Sequence, residues 1–246
     1  MKMKNIHRLT LILGGAASGK SEYAEQLAQK EEGGRIYLAT MQSSESARAR
    51  IEKHIRRREG MGMRTVEDPF LTRIPALSDL LPAEAEGSRL RPAVILLEDL
   101  PNLLANRRFS AEGDYAAEFG DVTVPSAIRG SEDETIPSVI LREQSDRRIP
   151  PPPSDTPEEP ELQMSPGILR LYEDLRNLQA HTGHLIIVSG DLFRDGTVYD
   201  EMTERYLQDL GNLHRLLAAA ADRVVEVVCG IPVERIDRSG IQKSEE

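Results

Sequence analysis

The sequence predicts an α/β fold, a mostly parallel sheet with helices on both faces. Three observations carry that expectation. Short, near-continuous apolar runs recur at residues 9–13, 92–97 and 184–189, the pattern of strands buried on both faces. Segments with apolar residues at helical spacing lie between them. A Gly-rich loop joins the first of these runs to the first of these helical segments.

Taken in order, residues 9–13 (Leu-Thr-Leu-Ile-Leu) are the first expected strand. Residues 21–30 are a helix, with Tyr23, Ala24, Leu27 and Ala28 at helical spacing. Residues 35–39 (Arg-Ile-Tyr-Leu-Ala) are the second strand, and the charged stretch 44–58 an exposed helix. Residues 92–97 form the third strand, which runs into Glu98 and Asp99. A helix at 169–180, a strand at 184–189, a long helix at 202–221 and a last strand at 223–229 complete the pattern. The last strand places Cys229 in the core as a small apolar residue. From about residue 107 to 166 the apolar periodicity is poor, and the runs at 149–153 and 155–160 are rich in proline. Such composition favours extended or irregular chain. One domain over residues 1–246, interrupted by an insertion there, is the expected organisation.

Composition bounds the function. The net charge is -10, against broad nucleic-acid binding, which runs on Lys and Arg contacts to phosphate. A single cysteine forms no internal disulfide and no metal cluster, which fits a reducing cytoplasm. No run approaches the roughly 18 apolar residues of a membrane span.

The loop Gly14-Gly15-Ala16-Ala17-Ser18-Gly19-Lys20-Ser21 fits G-x-x-x-x-G-K-[ST]. Glycines let the backbone curl round phosphate oxygens. Successive N–H groups and the helix N-terminus then face the anion. Lys20 brings a positive charge to the outer phosphates, and Ser21 a hydroxyl to Mg²⁺. The fold class is therefore that of a P-loop NTPase, RecA-like, binding a nucleoside triphosphate. An acidic residue at a neighbouring strand end organises the metal in such sites. Glu98, ahead of Asp99, suits that role, and a strand-end carboxylate capping the next helix is the alternative. His54 stands among six Arg and Lys side chains between residues 48 and 58. Those cations favour a neutral, nucleophilic imidazole and offset the charge of a triphosphate. As composition alone, the same stretch reads as a solvated helix face. Arg205, Asp209 and Asn212 likewise share one polar helix face. His184 and His214 read as structural or surface residues.

Several stretches, in order, resemble one family. They are residues 13–21, Tyr37-Leu38-Ala39-Thr40, Arg50-Ile51-Glu52-Lys53-His54, Arg64-Thr65-Val66-Glu67-Asp68-Pro69, and Leu96-Leu97-Glu98-Asp99-Leu100 with Asn106. Residues 205–212, 216–222 and Val227-Val228-Cys229-Gly230-Ile231-Pro232 continue the series. Together they are similar to the bifunctional adenosylcobinamide kinase / adenosylcobinamide-phosphate guanylyltransferase family of cobalamin biosynthesis. The resemblance implies phosphorylation of adenosylcobinamide by ATP or GTP, then transfer of GMP from GTP through a guanylyl-histidine. By position that histidine is His54, with Lys20 and Glu98 as catalytic partners. Arg50, Arg58 and Glu67 join the loop as nucleotide contacts. Mg²⁺ at Ser21 and Glu98, a corrinoid substrate and a homo-oligomer, a trimer, are implied as well. Relatives carry Ser-Asn-Glu-Val-Gly after the fourth core strand, where this chain has Ser189-Gly190-Asp191-Leu192-Phe193. The loop by itself also fits a kinase of another small metabolite, or a nucleotide-binding module docked through the Pro-rich segment.

Overall fold

The computed structural model describes residues 7–41, 60–74, 92–109, 118–119, 122–123, 163–193 and 199–238. In chain order these hold β1 (Arg8–Gly14), α1 (Lys20–Gln29), β2 (Arg35–Ala39), β3 (Met63–Glu67) and β4 (Val94–Glu98). Next come α2 (Leu100–Phe109), β5 (Val122–Thr123), β6 (Gln163–Met164) and α3 (Pro166–Ala180). The chain closes with β7 (His184–Gly190), α4 (Glu201–Ala220), β8 (Arg223–Val228) and β9 (Ile231–Asp237).

Among the described residues, seven strands form one sheet in the order β3-β2-β4-β7-β1-β8-β9. Every neighbouring pair is parallel except β8 with β9. The central strands β1, β4 and β7 are buried almost throughout, which explains their unbroken apolar runs. One face carries α1, where Ala24 and Ala28 pack on Ile12, Leu96, Ile186, Val188, Val225 and Val227. The other face carries α2, α3 and α4, through Leu103, Leu104, Leu171, Leu175, Leu213 and Leu217. β5 and β6 pair antiparallel apart from this sheet. No helix among the described residues is long and apolar enough to cross a membrane.

The helix starts differ in a way that matters. Ser165 caps α3, its hydroxyl accepting from Ile168 N, and Pro166 follows at the first helical position. Asp200 caps α4, accepting from Thr203 N at 3.0 Å. α1 begins on Gly19, left-handed at φ 91°, with no side-chain cap. Its first amides are left for another acceptor.

The sequence pattern locates β2 to the residue and the other expected strands to within two. It passes over β3, α2, β5, β6 and β9. Cys229 is not a core residue: it is exposed and left-handed at φ 50°, because β8 stops at Val228 and the chain reverses into β9. The expected helix at 44–58 lies outside the described residues, as does most of 107–166. At the margins of that stretch, Arg107–Phe109 complete α2 and Gln163–Met164 form β6.

Candidate functional site

β1 ends at Gly14 and α1 opens at Lys20, so residues 14–21 turn from strand to helix at the carboxyl end of the sheet. Ala16 and Ala17 are exposed, and Ala17 is left-handed at φ 57°. Ser18 N donates to Gly15 O at 3.3 Å. Lys20 folds back, its Nζ donating to Gly15 O at 3.1 Å. The Ser18 hydroxyl is buried with no hydrogen-bond partner, an unsatisfied polar group of the kind that marks a place for a ligand. An uncapped helix start, a lysine and an orphaned hydroxyl thus belong to one short turn.

Glu98 reaches this loop from β4, two strands away. Ser21 Oγ donates to Glu98 Oε1, and Tyr37 OH on β2 donates to Oε2 at 3.1 Å. Hydroxyl and carboxylate are hard oxygen donors of the type that suits Mg²⁺. The capping role falls instead to Asp99, which accepts from Asn102 N at 2.9 Å at the start of α2. Burial, and then the adjacent Glu98, push the Asp99 carboxyl above its usual range, although the cap bond and Lys20 pull the other way. Thr40 Oγ1 donates to Asp99 O at 2.7 Å. Asn106 Nδ2 donates to both Thr40 O at 2.7 Å and Pro69 O at 3.0 Å. The ends of β2, β3 and β4 are thereby tied to α2. Glu67 ends β3 and is exposed at the same end of the sheet, in register with Ala39, itself in register with Glu98. His54, Arg50 and Arg58 lie outside the described residues.

The loop after β7 borders the phosphate loop. Asp191 N donates to Gly14 O at 3.0 Å, and Phe193 N donates to Asp191 Oδ1 at 3.2 Å. Behind it, Ser189 Oγ and His214 Nε2 share a buried hydrogen bond of 2.6 Å, and burial holds His214 down at about 4. His184 is also structural. Its Nδ1 faces Glu31 Oε1 at 2.9 Å and its Nε2 faces Thr10 Oγ1 at 2.8 Å, at the opposite end of the strands from the loop. The face expected to join Arg205, Asp209 and Asn212 divides. Arg205 pairs with Glu201 at the surface, whereas Asp209 and Asn212 are buried and Asp209 pairs with Arg108 of α2. A regular spacing gives no view of α2, which the carboxylate meets.

Tyr37 and Asn106 fall within motif stretches, but only the folded chain brings them to Glu98 and to the strand ends. Sequence spacing offers no signal for a contact across 61 residues.

A family model described as cobinamide kinase / cobinamide phosphate guanyltransferase matches residues 10–235. The chain belongs to this family. Within it, the chain is 26% identical over 223 residues to the bifunctional adenosylcobalamin biosynthesis protein CobP of Pseudomonas aeruginosa, covering 91% of this chain and 94% of that protein. Among solved structures, the flagellar accessory protein FlaH from Methanocaldococcus jannaschii overlaps at TM-score 0.39 and 11% identity, over 94% of this chain and 79% of the other. As a member of the cobinamide kinase family, the chain is a kinase and guanylyltransferase of cobalamin biosynthesis.

Proposed function

We propose that both transfers proceed on adenosylcobinamide, with the loop at residues 14–21 gripping the nucleotide and His54 carrying GMP. The observation that carries the reading is the meeting of Ser21 and Glu98 at an uncapped helix N-terminus. In the kinase step the loop amides and Lys20 hold the polyphosphate of ATP or GTP. The substrate hydroxyl oxygen bonds to the γ-phosphorus, its proton passes to solvent, the bond to the β,γ-bridging oxygen breaks, and the nucleoside diphosphate leaves. Ser21 and Glu98 would hold Mg²⁺, which when bound supplies positive charge to the phosphates. Tyr37 keeps Glu98 aimed at that position.

In the second step a neutral His54 nitrogen bonds to the α-phosphorus of GTP and pyrophosphate leaves. A phosphate oxygen of adenosylcobinamide phosphate then takes GMP from the histidine, which is regenerated. Splitting one displacement into two is nucleophilic catalysis. Arg50, Arg58 and Glu67 are the further nucleotide contacts in this scheme. A cytoplasmic homo-oligomer, a trimer, completes it.

The test uses GTP labelled at the α-phosphate. Acid-labile, alkali-stable label on the protein is expected, and none on His54→Ala. Label that persists in the variant removes His54 from the scheme.

A further inference from the structure

Thr40 is the first residue of the chain beyond the ladder between β2 and β4, which ends with Ala39 opposite Glu98. It is fully buried, and each of its polar groups is engaged. Its N–H donates to Glu98 O at 3.0 Å. Its hydroxyl donates to Asp99 O at 2.7 Å, and its carbonyl accepts from Asn106 Nδ2 at 2.7 Å. One residue thus holds both main-chain oxygens of the acid pair Glu98–Asp99. Asp99 in turn caps α2, and Asn106 stands on that helix about two turns later. The contacts close a ring, from the acid pair along the helix to the carboxamide, then to the threonine and back.

Packing alone does not call for these groups. Valine would fill the volume of Thr40 with no buried hydroxyl to satisfy. What the ring fixes is the direction of Glu98. Past the ladder, the ends of β2 and β4 have no further sheet bonds to keep them in step. The Glu98 carboxylate must meet Ser21 of α1, and the phenol that shares it, Tyr37, comes from β2 as well. A slip of β4 against β2 misaims the carboxylate at both partners, and small misplacements near a reacting centre cost turnover heavily.

We propose that Thr40, held by Asn106, is a positioning residue of the kinase step, keeping the Glu98 carboxylate at the Ser21 hydroxyl. The inference rests on the phosphate-loop reading above. Thr40 and Asn106 act through Glu98 rather than by touching the nucleotide.

The test measures kinase turnover and nucleotide affinity on the full chain. Thr40→Val and Asn106→Leu are each expected to lower turnover at saturating nucleotide about tenfold, the lower end for groups that orient a metal-supporting residue. Thr40→Ser keeps the hydroxyl and is expected to restore most of that loss. GTP affinity, by calorimetry without added metal, is expected to hold in all three, because the loop amides and Lys20 are untouched. Combined with Glu98→Gln, neither Thr40→Val nor Asn106→Leu is expected to slow turnover further, since the group they aim is already disabled. Losses that multiply with Glu98→Gln overturn the proposal. So does wild-type turnover in Thr40→Val, or a Thr40→Ser as slow as Thr40→Val. GTP affinity that falls in step with turnover overturns it too, and reduces the ring to a general support of the fold. Wild-type turnover in Glu98→Gln alone defeats instead the reading of Glu98, and the positioning role with it.

Discussion

Glu98 has both carboxylate oxygens engaged, one by the Ser21 hydroxyl and one by the Tyr37 phenol. Its neighbour Asp99 is spent on the α2 cap. Two adjacent acids thus divide two tasks that the sequence alone leaves open between them. Glu98→Gln keeps the shape but removes the charge. Turnover of the kinase step at saturating nucleotide is expected to fall about 10–100-fold, the range for groups that support a metal-bound centre. Tyr37→Phe deletes only the aiming bond, and its loss should be the smaller of the two in the same assay. Equal losses would mean that Tyr37 does more than orient the acid.

At the level of elements, the phosphate loop is held from three sides: α1 grows out of it, the loop after β7 bonds Gly14 O, and the β8–β9 turn bonds Ser18 O. Gly14→Ala puts a methyl 2.7 Å from Val227 O and 2.5 Å from Ser18 Oγ. Since one neighbour is backbone, the turn itself must shift, at roughly 1–3 kcal/mol. A lower thermal midpoint and weakened nucleotide binding by calorimetry are the expected pair of results. Farther back, Arg107 of α2 is almost fully buried. Its Nε and Nη2 donate to Phe70 O at 3.0 and 2.7 Å, and its Nη1 to Asp174 of α3 at 2.6 Å. Arg107→Met removes these donors from Phe70 O and from Asp174. Asp174 keeps partial contact with water, so a loss of about 3 kcal/mol is expected, at the lower end for a broken buried pair. Urea unfolding at neutral pH measures it. These same elements show what a sequence does and does not disclose. β1, β4 and β7 are legible because burial on both faces leaves them near-continuous apolar runs, with polar residues confined to their ends and to Thr10. β3 reads Met-Arg-Thr-Val-Glu with only Val66 buried, and β9 opens Ile-Pro-Val-Glu-Arg with its side chains largely outside. Edge strands lack the apolar signal. α2 opens with Leu-Pro and carries paired arginines, so its buried side, which includes Arg107 itself, does not look apolar on paper. The loop at 14–21 is legible because its chemistry is local. Tyr37, Asn106 and the Cys229–Gly230 turn are not, because each acts across strands distant in the chain.

Across the whole molecule, two buried histidines set a dependence on acidity. His214 is held at about 4 against 6.5 for an exposed imidazole, by burial. The unfolded chain therefore binds more protons between those values, and stability is lost as pH falls through that window. His184 is lowered as well, again by burial, and adds in the same direction. The His214 contribution alone is roughly 3 kcal/mol at its limit. Urea midpoints taken from about pH 7 down to about pH 4 should decline steeply in the wild type. In His214→Gln they should decline less, and parallel curves would assign the acid sensitivity elsewhere. The strand order carries a different kind of consequence. The strand that leads into the phosphate loop sits between β7 and β8, and its Thr10 meets His184 across 174 residues of chain. During synthesis both edges of β1 therefore stay unmatched until nearly all of the polypeptide has left the ribosome. Such distant pairing slows folding, and open strand edges invite association between chains. A nascent copy that ends short of β7 therefore leaves both edges of β1 without the partners they have in the folded chain.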